Sequence, residues 1–311
     1  MAYENKEYPE WSWSLTRHKM FEECPRKYFY TYYLSHNGWS KEGSKLSQQA
    51  YRLKNLTNIS LVLGNSIHNS AKDLINKIGY NQPCPTSDEI KQIVRNTLNE
   101  AYISSKRFRH EWEANPKKVP MLQEIYYGGN LSKEKIAAIK ESLDICVNNL
   151  LSSNTISGLS AMQNLVSIKE VDEDMQYIFI NGTKVYVRLD LLYQAGSNWV
   201  ITDWKTGKDT ASTDISDQLA LYALYVHQKY GVDINNIEVC VESLLDGSFY
   251  KSTINDYNIS SIKSLISNSN NQMQRYLDDV DLNKPLPIEE FERTDKLYRC
   301  AVCNFREICN T

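Results

Sequence analysis

Apolar residues recur at helical spacing over much of the first half of the chain. Within 61–79 they share one helix face, at Ile67, Ala71, Leu74, Ile75 and Ile78. This stripe, followed by a glycine, predicts a buried helix. The sequence TSDE at 86–89 has the form of a capping box and predicts a helix running toward residue 100. A further apolar stripe over 133–151 predicts another amphipathic helix. Residues 80–160 are therefore predicted to be a mostly helical insertion.

Past residue 160 the pattern changes to short β-favouring runs. They read LVSIKEVDED, MQYIFING, KVYVRLDLLYQ and WVITDW, and turn signals such as Asn181-Gly182 separate them. A helix is predicted at about 214–230, strands near 237–245 and 248–254, and a helix near 259–278. The order helix, β-meander, helix, hairpin, helix predicts an α/β fold with a central mixed β-sheet flanked by helices.

Composition narrows the function classes only a little. The chain has 311 residues, 41% of them hydrophobic, and a formal net charge of −3, which gives no overall nucleic-acid signature but allows a locally positive cleft. The longest apolar run, LALYALYV at 219–226, is far shorter than the ~20 residues that span a bilayer. The N-terminal residues lack a basic start followed by an apolar core, so no signal peptide is expected. The protein is expected to be cytoplasmic, with no membrane partner.

The stretch VITDWKTGK at 200–208 places an acid and a base at the end of a strand. Asp203 and Lys205 share one strand face and Trp204 takes the other. Asp190, in VRLDLLY, lies on the preceding strand, so both carboxylates are expected near one sheet edge. Such a pair repels unless a cation lies between its members, and oxygen ligands favour Mg²⁺ or Mn²⁺. A plain surface ion pair is the alternative.

Two further polar groups are candidates for the same site. Gln218 and Tyr222, in QLALYALY, are four residues apart and therefore share one helix face. They could contact a phosphate or a base, or they could belong to an ordinary amphipathic helix. His68, in LGNSIH, would shift a carboxylate site toward Mn²⁺ if it were a ligand. The alternative is a histidine satisfied within the core.

Three thiols are crowded near the end of the chain. Cys300 and Cys303, in CAVC, are followed by Cys309, and a closed tetrahedral sulfur site needs a fourth. Cys24, in FEECPRKYFYTYY, is the best remote candidate. Zinc, an iron–sulfur cube and unligated thiols remain open from the residues alone.

The ordered set LGNSIH, VRLD, ITDWKTG and QLALYALY resembles the PD-(D/E)XK nuclease superfamily, most closely its RecB-like branch. That branch pairs a G-x-x-x-H helix with D…D-x-K and Q-x-x-x-Y, and the resemblance spans about residues 14–309. It implies a restriction-endonuclease-like core. Two positions depart from the family pattern: Val187 stands where a glycine is frequent, and the middle residue of D-x-K is a bulky tryptophan.

The resemblance also implies roles for individual residues. The implied metal ligands for Mg²⁺ or Mn²⁺ are His68, Asp190, Asp203 and the carbonyl of Trp204. Lys205 is implied to position the attacking water, and Gln218 with Tyr222 to position the substrate.

Cys24 followed by proline and a basic-aromatic helix, with C-x₂-C-x₅-C near the end of the chain, resembles the iron–sulfur members of the same branch. These are AddB-type nuclease domains and CRISPR-associated iron–sulfur exonucleases. The resemblance implies a [4Fe–4S] cluster on Cys24, Cys300, Cys303 and Cys309. Residues 1–311 would then be one nuclease domain, with 14–34 and 295–311 forming the cluster region.

The expected function is that of a metal-dependent DNA nuclease. The family resemblance implies exonuclease action on single-stranded DNA or DNA ends and a 5′-phosphate product. The chain has no G-x-x-x-x-G-K-[ST] phosphate loop, so it is not expected to be a helicase itself. Unwinding would come from a partner, such as a helicase or another DNA-processing protein, or the substrate would have a pre-opened end. DNA repair, phage replication and spacer capture are all compatible pathways. The alternatives are a catalytically silent DNA-binding or scaffold module of the same fold and a nuclease acting on RNA.

Overall fold

The computed structural model describes residues 6–162, 165–207 and 212–309. Its helices are α1 (Leu15–Glu23), α2 (Pro25–Phe29), α3 (Lys45–Lys54), α4 (Ile59–Gly79), α5 (Ser87–Arg107), α6 (Arg109–Ala114), α7 (Gln123–Gly128), α8 (Lys133–Leu151), α9 (Asn154–Ala161), α10 (Ser212–Tyr230), α11 (Asp256–Gln274), α12 (Leu297–Ala301) and α13 (Arg306–Cys309). Its strands are β1 (Val166–Val171), β2 (Gln176–Ile180), β3 (Thr183–Val187), β4 (Leu191–Ala195), β5 (Asn198–Lys205), β6 (Ile237–Ser243), β7 (Phe249–Thr253), β8 (Leu277–Asp279) and β9 (Lys284–Pro285). A π-helix, Tyr30–Leu34, continues α2.

The described residues form a central five-stranded sheet with the strand order β1-β4-β5-β6-β7. Its neighbouring strands are antiparallel except β5 and β6, which are parallel. A parallel pair needs a crossover connection, and α10 supplies it. The predicted α/β fold with a central mixed sheet flanked by helices is therefore confirmed.

Helices cover both faces of the sheet, and the side-chain alternation of the strands decides which residues meet which helices. Ile201 belongs to the hydrophobic cluster that contains α10 and α11. Val200 and Trp204 belong to the opposite cluster, which contains α4, α5, α8 and α9. Asp203 has the same parity as Ile201, so the strand directs its side chain toward α10.

The helices predicted within 80–160 form and pack in the cluster that contains α4. Thr86 and Glu89 make both hydrogen bonds of the predicted capping box, because each satisfies a backbone N–H that the first helical turn leaves open. The helix begins at Ser87 and continues to Arg107, beyond the predicted end near residue 100. None of the helices among the described residues combines the length and apolar character that crossing a bilayer requires.

The two ends of the chain pack together. Arg26 Nε donates to the carbonyl oxygen of Phe291 at 2.6 Å, and Tyr30 lies in one hydrophobic cluster with Leu53 and Phe305. Near the start, Trp13 exchanges backbone hydrogen bonds with β3. The first two contacts bring α2, the π-helix and α3 against Phe291 and Phe305.

Candidate active site

The antiparallel pairing of β4 and β5 brings the two predicted aspartates together. Leu191 is opposite Thr202, so Asp190, the residue before β4, lies beside the end of β5. Asp190 Oδ2 accepts the backbone N–H of Trp204 at 2.8 Å. The Trp204 side chain is 2% exposed and packs on the other face of the sheet. This pairing holds the Asp190 carboxylate across the strand that carries Asp203.

Helix α4 adds an imidazole from the opposite side. His68 Nδ1 lies 3.2 Å from Asp190 Oδ1. Asn65 and Asn69 line the same cavity because positions three and four apart share one helix face. The helix can approach this closely because residue 64 is a glycine: a Cβ there would lie 2.9 Å from Thr206 Oγ1.

Helix α10 completes the site through hydrogen bonds to the acid and the base. Lys205 Nζ lies 2.7 Å from Asp203 Oδ2 and donates to Gln218 Oε1 at 2.7 Å. Gln218 Nε2 donates to Asp203 Oδ1 at 3.1 Å, and the Tyr222 hydroxyl donates to the same oxygen at 3.4 Å. The four side chains therefore form one connected polar group facing α4.

This group lines an open cavity of about 730 Å³. The cavity runs along α4 from His68 to Leu61 and also contains Asp172 and Arg188. Arg188 Nη2 lies 2.8 Å from Asp172 Oδ1, and its side chain is half exposed. A guanidinium at the mouth of such a cavity can bind a phosphate in a bidentate manner.

Burial and proximity perturb the protonation of the site. Burial, reinforced by Asp190, raises the pKa of Asp203 to about 6, although Lys205 and His68 act to lower it. Burial alone would lower the pKa of His68, but the hydrogen bond and charge of Asp190 outweigh it and raise that pKa. Burial, followed by the charges of Asp203 and Asp190, raises the pKa of Tyr222 well above its ordinary value. Tyr222 is therefore a neutral donor.

The described residues contain no group of three or more His, Cys, Asp or Glu side chains that could hold a metal ion as they stand. Protein groups surround the carboxylate oxygens of Asp190 and Asp203, and Lys205 pairs with Asp203 Oδ2. This oxygen is buried, and the Lys205 ammonium lies 2.7 Å from it. A divalent cation would have to displace the lysine from it.

The four cysteines of the predicted cluster region line one cavity of about 140 Å³. Cys24 ends α1 and caps α2, and its Sγ accepts the Lys27 N–H at 3.4 Å. Cys303 Sγ accepts the Phe305 N–H at 3.4 Å. Burial raises the pKa of Cys303, and the nearby Cys24 and Cys309 thiols also act to raise it. The thiols thus share one cavity, although they form no closed metal site.

Sequence reasoning missed several residues of the large cavity. Arg188 could have been found from strand alternation, because it is two residues before Asp190. Asn65 and Asn69 could have been found from their helical spacing relative to His68. Glu170, an acid in the run LVSIKEVDED, does not line the cavity. It is 3% exposed and accepts hydrogen bonds from Tyr225, Lys229 and Tyr230.

Comparison with known proteins gives one family. A family model described as the PD-(D/E)XK nuclease superfamily matches residues 12–310. No curated protein sequence matches the chain. Among solved structures, one described as "Crystal structure of SSO0001" is similar at 13% sequence identity, covering 56% of this chain and 79% of that chain with a TM-score of 0.27.

Proposed function

The chain belongs to the PD-(D/E)XK nuclease superfamily, and we propose that it is a DNA nuclease. Members of this superfamily are phosphodiester hydrolases that typically use Mg²⁺ or Mn²⁺. We further propose that the protein acts as an exonuclease on single-stranded DNA or DNA ends. The observation that carries the proposal is the convergence of His68, Asp190, Asp203 and Lys205 on one open cavity.

In this proposal, the cation would be held by His68, Asp190, Asp203 and the Trp204 carbonyl. Carboxylate and imidazole donors suit Mg²⁺ or Mn²⁺, and the buried Asp203 Oδ2, paired with the Lys205 ammonium at 2.7 Å, is the oxygen that a cation would take over. When bound, the cation supplies a Lewis acid for the phosphate and lowers the pKa of a coordinated water.

The remaining groups prepare the nucleophile and the phosphate. Lys205, released from Asp203 Oδ2 but still bonded to Gln218 Oε1, orients a water toward the phosphorus and stabilises the charge that develops there. Gln218 and Tyr222 act as positioning residues, because their hydrogen bonds fix Asp203 and Lys205 in register. Arg188 holds a non-bridging phosphate oxygen at the cavity mouth.

The test is cleavage of end-labelled single- and double-stranded DNA and RNA with Mg²⁺ or Mn²⁺, beside a Lys205→Ala control. We expect metal-dependent loss of single-stranded DNA from its ends, and none with the control or with EDTA. Equal behaviour of wild type and control would contradict catalysis. Metal-dependent cutting of RNA alone would identify the protein as an RNA nuclease. Binding without cutting would identify a catalytically silent module.

We also propose that Cys24, Cys300, Cys303 and Cys309 bind a [4Fe–4S] cluster. The shared cavity and the two N–H···S hydrogen bonds support a thiolate site. The cluster would tie together positions about 275 residues apart, which in a simple cross-link estimate stabilises the fold by roughly 5 kcal/mol. Zinc on the same thiols is the alternative, and a reducing cytoplasm would keep the thiols available.

The domain organisation follows the same proposal. Residues 1–311 form one nuclease domain, 80–160 are a helical insertion in it, and 14–34 with 295–311 form the cluster region. A helicase or another DNA-processing protein would supply opened strands.

A further inference from the structure

A second cavity, of about 460 Å³, lies between the loop after the π-helix, helix α3 and the loop after α6. Two aromatic residues and four cations contribute to its lining: Trp39, Tyr51, Lys41, Arg52, Lys117 and Lys118. We call it the Trp39 cavity. None of its lining residues lines the catalytic cavity.

The aromatic part of the Trp39 cavity is accessible. Trp39 is 43% exposed, and Tyr51 meets its ring edge-on at a centroid distance of 5.8 Å. His36 also meets the indole edge-on, at 5.5 Å, and the ring still exposes surface on which an unpaired base can stack.

The charged part is strongly positive. Among the described residues, no carboxylate lies within 4.0 Å of Arg52, Lys117 or Lys118. Glu113, the acid in the described lining, is held by Arg109 at 3.1 Å and by His110 at 3.8 Å. The cations are therefore available for an anion from outside the chain.

The positive surface continues past the end of α3. Arg17 Cζ lies 4.2 Å and Lys54 Nζ 5.4 Å from the ring centroid of Tyr32. Partial desolvation, then the charges of Arg17 and Lys117, lower the pKa of Lys54 to about 8. The contribution of Arg17 and Lys117 shows that these two cations lie close to Lys54.

Chain connectivity places this surface near the catalytic cavity. Lys54 ends α3 and Asn58 caps α4, so the two are at most about 14 Å apart. The catalytic cavity extends along α4 from His68 to Leu61, in the first turn. At 1.5 Å per residue, the start of α4 is about 14 Å from His68. A bound strand of several nucleotides can span this path.

We propose that the Trp39 cavity, together with the adjoining cations Arg17 and Lys54, binds single-stranded nucleic acid. A base stacks on Trp39, and successive phosphates contact Arg52, Lys117, Lys118 and Lys54. The use of the bound strand as a substrate rests on the proposed function, whereas the binding itself does not.

Binding is measured in EDTA by fluorescence anisotropy of labelled dT₂₀ and rU₂₀ over a salt series. The test variant is Arg52→Gln/Lys117→Gln/Lys118→Gln. The control, Arg275→Gln/Lys133→Gln/Lys263→Gln, removes the same charges from exposed positions outside this surface. We expect the test variant to lower the salt slope by about 2, since each phosphate contact on a single strand contributes about 0.7. The control should retain the wild-type slope.

Stacking is tested separately by Trp39→Ala, with Trp39→Phe retaining a ring. Loss of one base–aromatic stack is expected to weaken binding by about 5- to 100-fold, and phenylalanine should restore most of it. Circular dichroism and thermal unfolding show whether each variant is folded. Should Trp39→Ala misfold, the surface-charge variants decide the matter alone.

The outcomes separate the two proposals. If the test variant binds dT₂₀ like its control, the nucleic-acid site is overturned whether or not the protein cleaves DNA. If wild type binds through this cavity but cleaves nothing with Mg²⁺ or Mn²⁺, the site stands and the proposed nuclease function fails. If both hold, the test variant should lose activity on dT₂₀ yet keep it on bis-p-nitrophenyl phosphate, which is too small to reach the Trp39 cavity.

Discussion

Gly64 and Thr206 lie in direct apposition where helix α4 crosses the end of β5. A Cβ at position 64 would be 2.9 Å from Thr206 Oγ1 but 3.9 Å from Thr206 Cβ. The hydroxyl alone is therefore too close for an alanine. Since His68 is one helical turn further along the same helix, this apposition sets how closely the imidazole approaches the aspartates.

A double-mutant cycle tests this contact. Alanine normally stabilises a helix interior by roughly 0.5–1 kcal/mol over glycine, but Gly64→Ala should gain less because of the Thr206 hydroxyl. In a Thr206→Ala background the same change should recover the full gain. Urea unfolding of the four proteins should give a coupling of about 0.5 kcal/mol or more. Additive effects would contradict the crowding.

The sequence predicts which side chains come together better than it predicts the hydrogen bonds between them. Period-two alternation places Asp203 and Lys205 on one strand face, and period-four spacing pairs Gln218 with Tyr222. Both relationships are local and both hold in the structure. The contact of Gly64 with Thr206 joins elements more than a hundred residues apart, so no local pattern could reveal it.

Lys205 gives the sharpest test of the catalytic proposal, because it competes with the cation. Its ammonium lies 2.7 Å from Asp203 Oδ2. Lys205→Met should therefore lower cleavage by about 100-fold or more while Mn²⁺ binds at least as tightly as in wild type. Asp203→Asn should lose both properties. Cleavage assays and Mn²⁺ titration calorimetry measure the two effects.

Weaker Mn²⁺ binding by Lys205→Met, to the level of Asp203→Asn, would count against this competition. In that case Lys205 would help to hold the metal ion instead of competing with it for Asp203.

Arg188 is expected to act on substrate binding. It pairs with Asp172 at the cavity mouth, and its side chain is half exposed, so a phosphate can replace that partner. Arg188→Ala should raise KM about tenfold, the size expected for losing a charge-assisted hydrogen bond, with little change in kcat. Arg275→Ala, exposed and outside the cavity, is the control. A fall in kcat with unchanged KM would contradict a binding role.

The cysteine proposal predicts a coloured protein. Anaerobic preparation, or reconstitution with iron and sulfide, should give a brown sample with about four iron atoms per chain. Cys24→Ser should lose the colour and lower the unfolding temperature, whereas Cys84→Ser, at an exposed position outside the cavity, should change neither. A colourless sample with stoichiometric zinc would replace the cluster by a zinc site.

The Trp39 cavity shows where reading the sequence reaches its limit. Lys117 and Lys118 lie in a loop that the pattern identifies only as polar, and nothing local indicates that they face Trp39 and Arg52. Their apposition comes from the hydrophobic cluster beneath, in which Leu53 of α3 packs with Trp112 of α6. Charge that is scattered in the sequence is thereby concentrated on one surface.

Lys54 should make strand binding depend on pH. Its pKa is about 8 in the free protein, and a bound phosphate would raise it, so the complex holds more protons than the free protein. Affinity for dT₂₀ is therefore full below about pH 7 and falls as pH rises through 8, by at most about tenfold per unit.

The groups facing Lys54 are Arg17, Tyr32 and Lys117. Burial raises the pKa of Tyr32 above its ordinary value, so this ring stays neutral. Lys54→Arg keeps the charge at all these pH values and should abolish the dependence while binding at least as tightly at pH 9. An unchanged pH profile in Lys54→Arg would show that Lys54 is not the group that meets the phosphate.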